Sequence, residues 1–158
     1  MKFLIGKAAF VLLVFLAGIT GPVHAQEYTL EQVRQIYVES LTKDGYRPEV
    51  TKAGNILFRR EGRNYMVSLS PDDLKFFRMR TAYLVEDKSG PTRIKRLEAI
   101  NYANTSTKVS KASIDSDGDV ECAIEIYLAD PNDMGKHLNR MLVSLGVLYK
   151  NYQKKMSE

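Results

Sequence analysis

The sequence predicts an α+β protein in which an antiparallel sheet is packed with helices. Short segments that alternate between apolar and polar residues are joined by glycine-containing turns, a pattern typical of antiparallel strands. Three other segments carry apolar residues at helical spacing. The predicted order is α-β-β-β-β-α-β-β-α. Because tight hairpins rather than βαβ crossovers join the predicted strands, the sheet should be antiparallel with helices on one face.

Residues 1–25 have the features of a secretory signal peptide. Lys2 and Lys7 are followed by an apolar run from Ala8 to Leu16, and Val23-His24-Ala25 provides small or compact residues at the −3 and −1 positions of a cut before Gln26. An uncleaved membrane anchor is the alternative, but Lys7, Gly18, Gly21 and Pro22 interrupt the stretch of about 20 apolar residues that a spanning helix needs. We therefore expect a periplasmic or secreted protein of a Gram-negative bacterium. Residues 26–158 should form a single domain with no transmembrane segment.

Composition limits the functional classes. The 158 residues carry a formal charge of +4, one Cys and two His. Cleavage would remove two lysines and no acid, which leaves a charge of +2. One Cys excludes an internal disulfide and a Cys-based zinc site, and a single remaining His makes a His-rich metal site a poor hypothesis. No cofactor is expected.

The first predicted helix covers residues 30–43. Thr29 and Gln32 form a capping-box pattern before it, Leu30, Val33 and Leu41 mark an apolar stripe, and Gly45 is suited to the end. Strands are then predicted at residues 46–51, 55–60, 65–70 and 74–85, separated by turns at 53–54, 61–64 and 70–73.

The second predicted helix covers residues 91–104, with Pro91 in its first turn and a narrow apolar stripe of Ile94, Leu97 and Ile100. Strands at 108–114 and 120–128 follow, and Asp117-Gly118 between them is typical of a two-residue hairpin turn. A last helix is predicted at residues 131–155, where a broad stripe of Leu, Met and Tyr should close the sheet.

Three segments resemble the YbjN family of bacterial sensory transduction regulators: LTKDGYRPEV, NILFRREGRNYMVSLS and INYANTSTKVSKASIDSDGDVECAIEIYL. This resemblance covers almost all of residues 26–158. It implies a fold like that of type III secretion chaperones and a binding or regulatory role. It supplies no catalytic residues, and the predicted signal peptide implies a secreted relative of this family.

Three features could carry chemistry, and each has a simpler interpretation. The carboxylates of Asp115, Asp117 and Asp119 alternate as calcium ligands do, but Gly118 and Ile126 occupy the wrong positions for an EF-hand loop, so a hairpin tip is favoured. Cys122 has apolar neighbours on its strand face and is predicted to be buried. His137 lacks a nearby nucleophile and is predicted to lie on or near the surface.

Two groups of residues are candidates for partner binding. Arginines cluster on strands that should be neighbours, among them Arg59, Arg78 and Arg80, and suit an acidic peptide or an anionic surface, although a solvated sheet face is the simpler interpretation. Met134, Met141, Tyr149 and Tyr152 on the last helix could line a partner groove or belong to the core. The charge of +2 argues against nucleic acid.

These observations predict a non-enzymatic periplasmic module that binds a protein or peptide partner, with no catalytic, cofactor or metal residues. The alternatives are an enzyme such as a hydrolase, with a site assembled from scattered residues, or a structural homodimer with a role in envelope stress.

Overall fold

A computed structural model describes residues 28–158, so the predicted signal peptide at 1–25 lies outside the described residues. The helices are α1 (Leu30–Lys43), α2 (Gly90–Ser106) and α3 (Asp133–Met156). The strands are β1 (Glu49–Val50), β2 (Ile56–Arg60), β3 (Arg63–Ser70), β4 (Asp73–Tyr83), β5 (Ser110–Ile114) and β6 (Val120–Tyr127). The predicted element order and the α+β class are confirmed. In the described part of the chain, no helix has the length and apolar character to cross a membrane.

All six strands form one antiparallel sheet in the order β1-β2-β3-β4-β6-β5. Strands β1 to β4 follow one another as hairpins. Strand β6 then pairs with β4 from Tyr83↔Val120 to Phe76↔Tyr127, and β5 lies outside β6 at the edge. The pairing of β4 with β6 joins the two halves of the chain.

The helices cover one face of this sheet, as predicted. Side chains alternate along β4, so that Phe77 and Met79 are fully buried beneath the helices while Arg78 and Arg80 point to the open face. Tyr37 of α1 packs edge-on against Phe77 with 5.4 Å between ring centroids. Burial raises the pKa of the Tyr37 hydroxyl to about 12. The core is therefore a single layer between sheet and helices.

Helix α1 begins as predicted, because Thr29 and Gln32 exchange both hydrogen bonds of a capping box. The strand predicted at 46–51 is reduced to Glu49–Val50. The reason is the helix end: Gly45 adopts φ +87°, and the N–H of Tyr46 donates to the carbonyl of Leu41 at 3.0 Å. Tyr46 therefore belongs to the helix cap rather than to the sheet.

The predicted stripe of α2 is wrong for two of its three residues. Ile94 and Leu97 are 61% and 48% exposed, whereas Arg96, Ala99, Ile100 and Ala103 are buried. Small alanines allow α2 to pack closely on α3, and the apolar pattern of this helix was too weak to reveal that face.

Candidate functional site

The arginines of the open sheet face do not form a free basic patch. Glu121 on β6 accepts from both β4 arginines, from Nη2 of Arg78 at 2.5 Å and from Nη1 of Arg80 at 2.7 Å. Nε of Arg78 lies 3.2 Å from Glu125, which also pairs with Lys111. This arrangement neutralises Arg78 and Arg80 within the sheet, so the surface available to an anion is smaller than the sequence suggested.

The remaining arginines of the predicted cluster lie at or near the β2–β3 turn. Glu61 and Gly62 both have positive φ (50° and 79°), as a two-residue type I′ turn requires. Arg59 is exposed, and its guanidinium is 3.5 Å from the carbonyl of Gly62. Arg60 is 3.5 Å from Glu61. Arg96 on α2 does not contribute to the basic surface, because it is 1% exposed and donates to the carbonyl of Gly118 at 2.7 Å.

Arg63 marks the first of two grooves beside α3. Its guanidinium carbon lies 4.6 Å from the ring centre of Tyr83 and 5.3 Å from that of Tyr149. The two rings are stacked, and burial raises the pKa of both hydroxyls. We call the space of about 470 Å³ beside them the cationic groove, because Arg60, Arg63 and Lys150 line it together with one carboxylate, Glu61.

The second groove lies on the other side of α3, against β6, and we call it the apolar groove. It has a volume of about 280 Å³ and is lined mainly by apolar side chains, with His137, Arg140 and Ser144 at its polar positions. Its lining includes two large apolar residues that are mostly exposed, Tyr127 at 72% and Val109 at 68%. Exposed apolar surface of this kind is typical of an interaction site.

Val109 has a strained backbone. Its φ of +72° is rare for a β-branched residue, and the N–H of Ser110 donates to the carbonyl of Lys108 at 2.9 Å, which closes a three-residue turn around it. The hydroxyl of Ser144 on α3 holds this turn, since it lies 2.9 Å from the Lys108 carbonyl and 2.9 Å from the Ser110 hydroxyl. Helix α3 thus fixes a strained turn whose side chain is presented to solvent.

The candidate residues on α3 divide between core and surface. Met134, Met141 and Tyr152 are 0%, 4% and 7% exposed, so they belong mainly to the core, which is the second of the two interpretations of this helix. Met141 also lines the apolar groove, and half-buried Tyr149 lines the cationic groove. Both grooves are therefore reached by α3, although neither is built from the predicted set as a whole.

The Asp-rich hairpin is a structural turn. Asp115 accepts from the N–H groups of Asp117 and Asp119, and Gly118 takes φ +82° in a three-residue loop rather than the predicted two-residue turn. Asp119 faces inward to Lys88 at 2.9 Å and to the N–H of Val85, and these hydrogen bonds lower the pKa of its carboxyl. No group of three residues able to hold a metal ion occurs among residues 28–158.

Cys122 and His137 occupy the environments predicted for them. Cys122 is fully buried, and burial raises the pKa of its thiol to about 12, so it is protonated at neutral pH. His137 is exposed at the rim of the apolar groove.

Sequence reasoning missed Val109, Tyr127, Ser144 and Arg140 as groove residues. The sequence does contain a signal for Arg140: the segment between Asp133 and Glu158 has basic residues but no acidic residue that could pair with them. No pattern reveals a positive φ at a valine, so Val109 could be found only from the structure.

The fold of this chain has the α+β architecture of a type III secretion chaperone. Among solved structures it is similar to the Yersinia pestis type III secretion chaperone SycH, which was crystallised in complex with a stable fragment of YscM2. The sequence identity is 15% and the TM-score 0.51, over 77% of this chain and 98% of that chain. At this identity the likeness concerns the fold alone. No family model matches the chain, and no curated protein matches it. Membership of the YbjN family therefore stays a prediction.

Proposed function

We propose that this protein is a non-enzymatic module that binds a segment of a partner protein in the apolar groove between β6 and α3. The observation that carries the proposal is the strained turn at Val109, which holds an exposed isopropyl group beside exposed Tyr127. A strained, solvent-facing apolar residue that the surrounding structure fixes in place is more typical of a functional surface than of a packing site.

Three further observations support binding rather than catalysis. His137, the only His in the described residues, is exposed on α3, and Cys122 is buried and protonated. The carboxylates of Glu121 and Asp119 are engaged by arginine or lysine side chains. The chain also shares its fold with a chaperone that was crystallised with a protein fragment.

We further propose that the protein acts in the periplasm or outside the cell, with a regulatory role of the kind that the YbjN resemblance implies. The support is the sequence of residues 1–25. Expression of the full chain in a Gram-negative host should give a protein whose N-terminal residue, read by Edman degradation of the periplasmic fraction, is Gln26. A start at Met1 in the cytoplasmic fraction would contradict this location.

Selection of binders from a random peptide display library, using the purified protein as bait, tests the binding function. We expect peptides that bind the native protein, and we expect Tyr127→Ser to weaken them by about tenfold, because truncating an aromatic anchor commonly costs more than 1 kcal/mol. Leu84→Ser is the matched control, since Leu84 is 88% exposed and lies outside the apolar groove. Selected peptides that bind both variants equally well would place binding elsewhere, and turnover of generic ester or phosphate substrates by the protein would favour the enzyme alternative.

A further inference from the structure

We infer that the exposed side of α3 recognises an acidic amphipathic segment of the partner protein. This inference rests on the proposed function and adds the chemistry of the partner. It begins from a charge asymmetry: between Asp133 and Glu158 the helix contains five lysine or arginine residues and no acid. They are Lys136, Arg140, Lys150, Lys154 and Lys155.

The residues concerned lie on one side of the helix. Arg140, Val143, Val147, Lys150 and Lys154 follow one another at alternating spacings of three and four, which places them on a single face. We call this the outer face of α3. All five are exposed, with Val143 at 52% and Val147 at 44%. The outer face therefore has an apolar centre with cations on both sides of it.

The cations of the outer face are available to a ligand. The two lysines of α3 that lie off the outer face are already paired, Lys136 with Asp133 and Lys155 with Glu158. In contrast, no carboxylate among residues 28–158 lies within ion-pairing distance of Arg140, Lys150 or Lys154. The same holds within this range for Arg63, which rests on the aromatic pair of the cationic groove. This surface attracts carboxylates that residues 28–158 do not supply.

The two grooves give the surface its shape. The apolar groove runs along one side of α3 through Arg140, Met141 and Ser144. The cationic groove runs along the other side through Val143, Gly146 and Lys150. An amphipathic segment seated along α3 can place apolar side chains over Val143 and Val147 and in the apolar groove, while its carboxylates reach Lys150 and Arg63.

Charge and shape favour this occupant over three others. A second copy of the chain in a two-fold dimer would bring the same basic face against itself, which is repulsive. Helices that bind an anionic membrane surface present a convex face with large apolar anchors. The outer face of α3 instead has short valines between two concave grooves. Single-stranded nucleic acid is typically bound by several aromatic rings on which successive bases stack. Here Tyr83 and Tyr149 stack on each other, which leaves Tyr127 as a single mostly exposed ring beside α3.

Two synthetic fluorescein-labelled peptides test the inference by fluorescence anisotropy with the purified protein. One has leucine and glutamate at helical spacing, and its twin has lysine in place of every glutamate. We expect the acidic peptide to bind about tenfold or more tightly than its twin, and to weaken as salt is raised from about 0.05 to 0.3 M.

The double variant Lys150→Glu/Lys154→Glu should weaken the acidic peptide by about tenfold or more and improve binding of the twin. The matched control is Lys43→Glu/Lys52→Glu, which changes the net charge equally at exposed positions on α1 and in the β1–β2 connection. It should leave both affinities within about twofold, because neither lysine lines either groove or belongs to the outer face of α3.

The outcomes separate this inference from the proposed function. If library-selected peptides depend on Tyr127 but the acidic peptide and its twin bind equally, or neither binds, the acidic preference is wrong and the apolar groove stands. If the acidic peptide depends on Lys150 and Lys154 but no bound peptide responds to Tyr127→Ser, the proposed groove is wrong and the basic face stands. Tighter binding to phosphatidylglycerol vesicles or to single-stranded DNA than to the acidic peptide would overturn the inference in favour of those partners.

Discussion

The side-chain amide of Asn104 forms two hydrogen bonds with the backbone of Ala112, donating to its carbonyl at 3.2 Å and accepting from its N–H at 2.7 Å. Asn104 lies in the last turns of α2, and Ala112 is the central residue of the edge strand β5. The Asn104 side chain therefore makes the two backbone hydrogen bonds that a neighbouring strand would make with Ala112. Unpaired edge groups are a template for association with other chains, and this contact removes two of them.

We expect Asn104→Ala to lower the free energy of unfolding by about 1–3 kcal/mol, because it leaves backbone groups of β5 without partners. The measurement is urea denaturation followed by circular dichroism. Light scattering should also show concentration-dependent association. The exposed Asn101 on the same helix is the control, and Asn101→Ala should change stability by less than about 0.5 kcal/mol. Equal effects of the two substitutions would show that the edge contact has no special role.

Replacing Val109 should separate stability from binding. Val109→Gly relieves the positive φ, and we expect the protein to gain about 1 kcal/mol in urea denaturation despite the greater freedom of glycine in the unfolded chain. The same variant should bind library-selected peptides more weakly, because the exposed isopropyl group is lost. Val147→Gly is not an adequate control, since it lies inside a helix; Val50→Gly, at an exposed edge position, is better. A loss of stability in Val109→Gly would contradict the assignment of strain.

The charge network of the open face predicts a strong effect at one carboxylate. Glu121 is 7% exposed and accepts from Arg78 and Arg80, so Glu121→Gln should reduce stability by about 1–3 kcal/mol. Glu125→Gln is the comparison, because Glu125 is more exposed and should contribute less. Thermal unfolding of the two variants gives the result, and a larger shift for Glu125 would reverse the ranking.

The buried thiol predicts both slow chemistry and a pH dependence. Reaction of Cys122 with a thiol reagent at neutral pH should be much slower in the native protein than in urea. Because burial holds the folded pKa near 12, above the value of about 9 for the free thiol, its contribution to stability is complete below pH 9 and is lost as the pH rises towards 12. In Cys122→Ala, the free energy of unfolding should depend less on pH in that range. Native labelling at the rate of the unfolded chain would refute burial.

The elements that the sequence predicts well are those with strong local signals. The capping box at Thr29 and the alternation along β4 depend on neighbouring residues, and both are present. Features that depend on distant partners were missed. Glu121 and Ala123 on β6 are buried although they lie on the open face of the sheet, because Arg78 and Arg80 on β4 lie beside them.

The candidate site shows the same division. The sequence shows that basic and aromatic residues are present on these strands. It does not show that Glu121 pairs with Arg78 and Arg80, because that contact depends on how β4 and β6 are paired. Met and Tyr occur both in binding surfaces and in cores. The apolar stripe on α3 is too broad to show from sequence alone that Met134 and Tyr152 face the sheet and are buried.

The pairing of β4 with β6 has a consequence for how the chain is synthesised. A ribosome that has released β1 to β4 and α2 has made a meander whose outermost strand has no neighbour yet, and that strand carries Phe77 and Met79. Until β6 arrives, the backbone N–H and C=O groups along one edge of β4 have no partners, and the strand is open to other nascent chains. If export keeps the chain unfolded until its C-terminal part has crossed, the meander and its missing strand become available together, and the period of exposure is short.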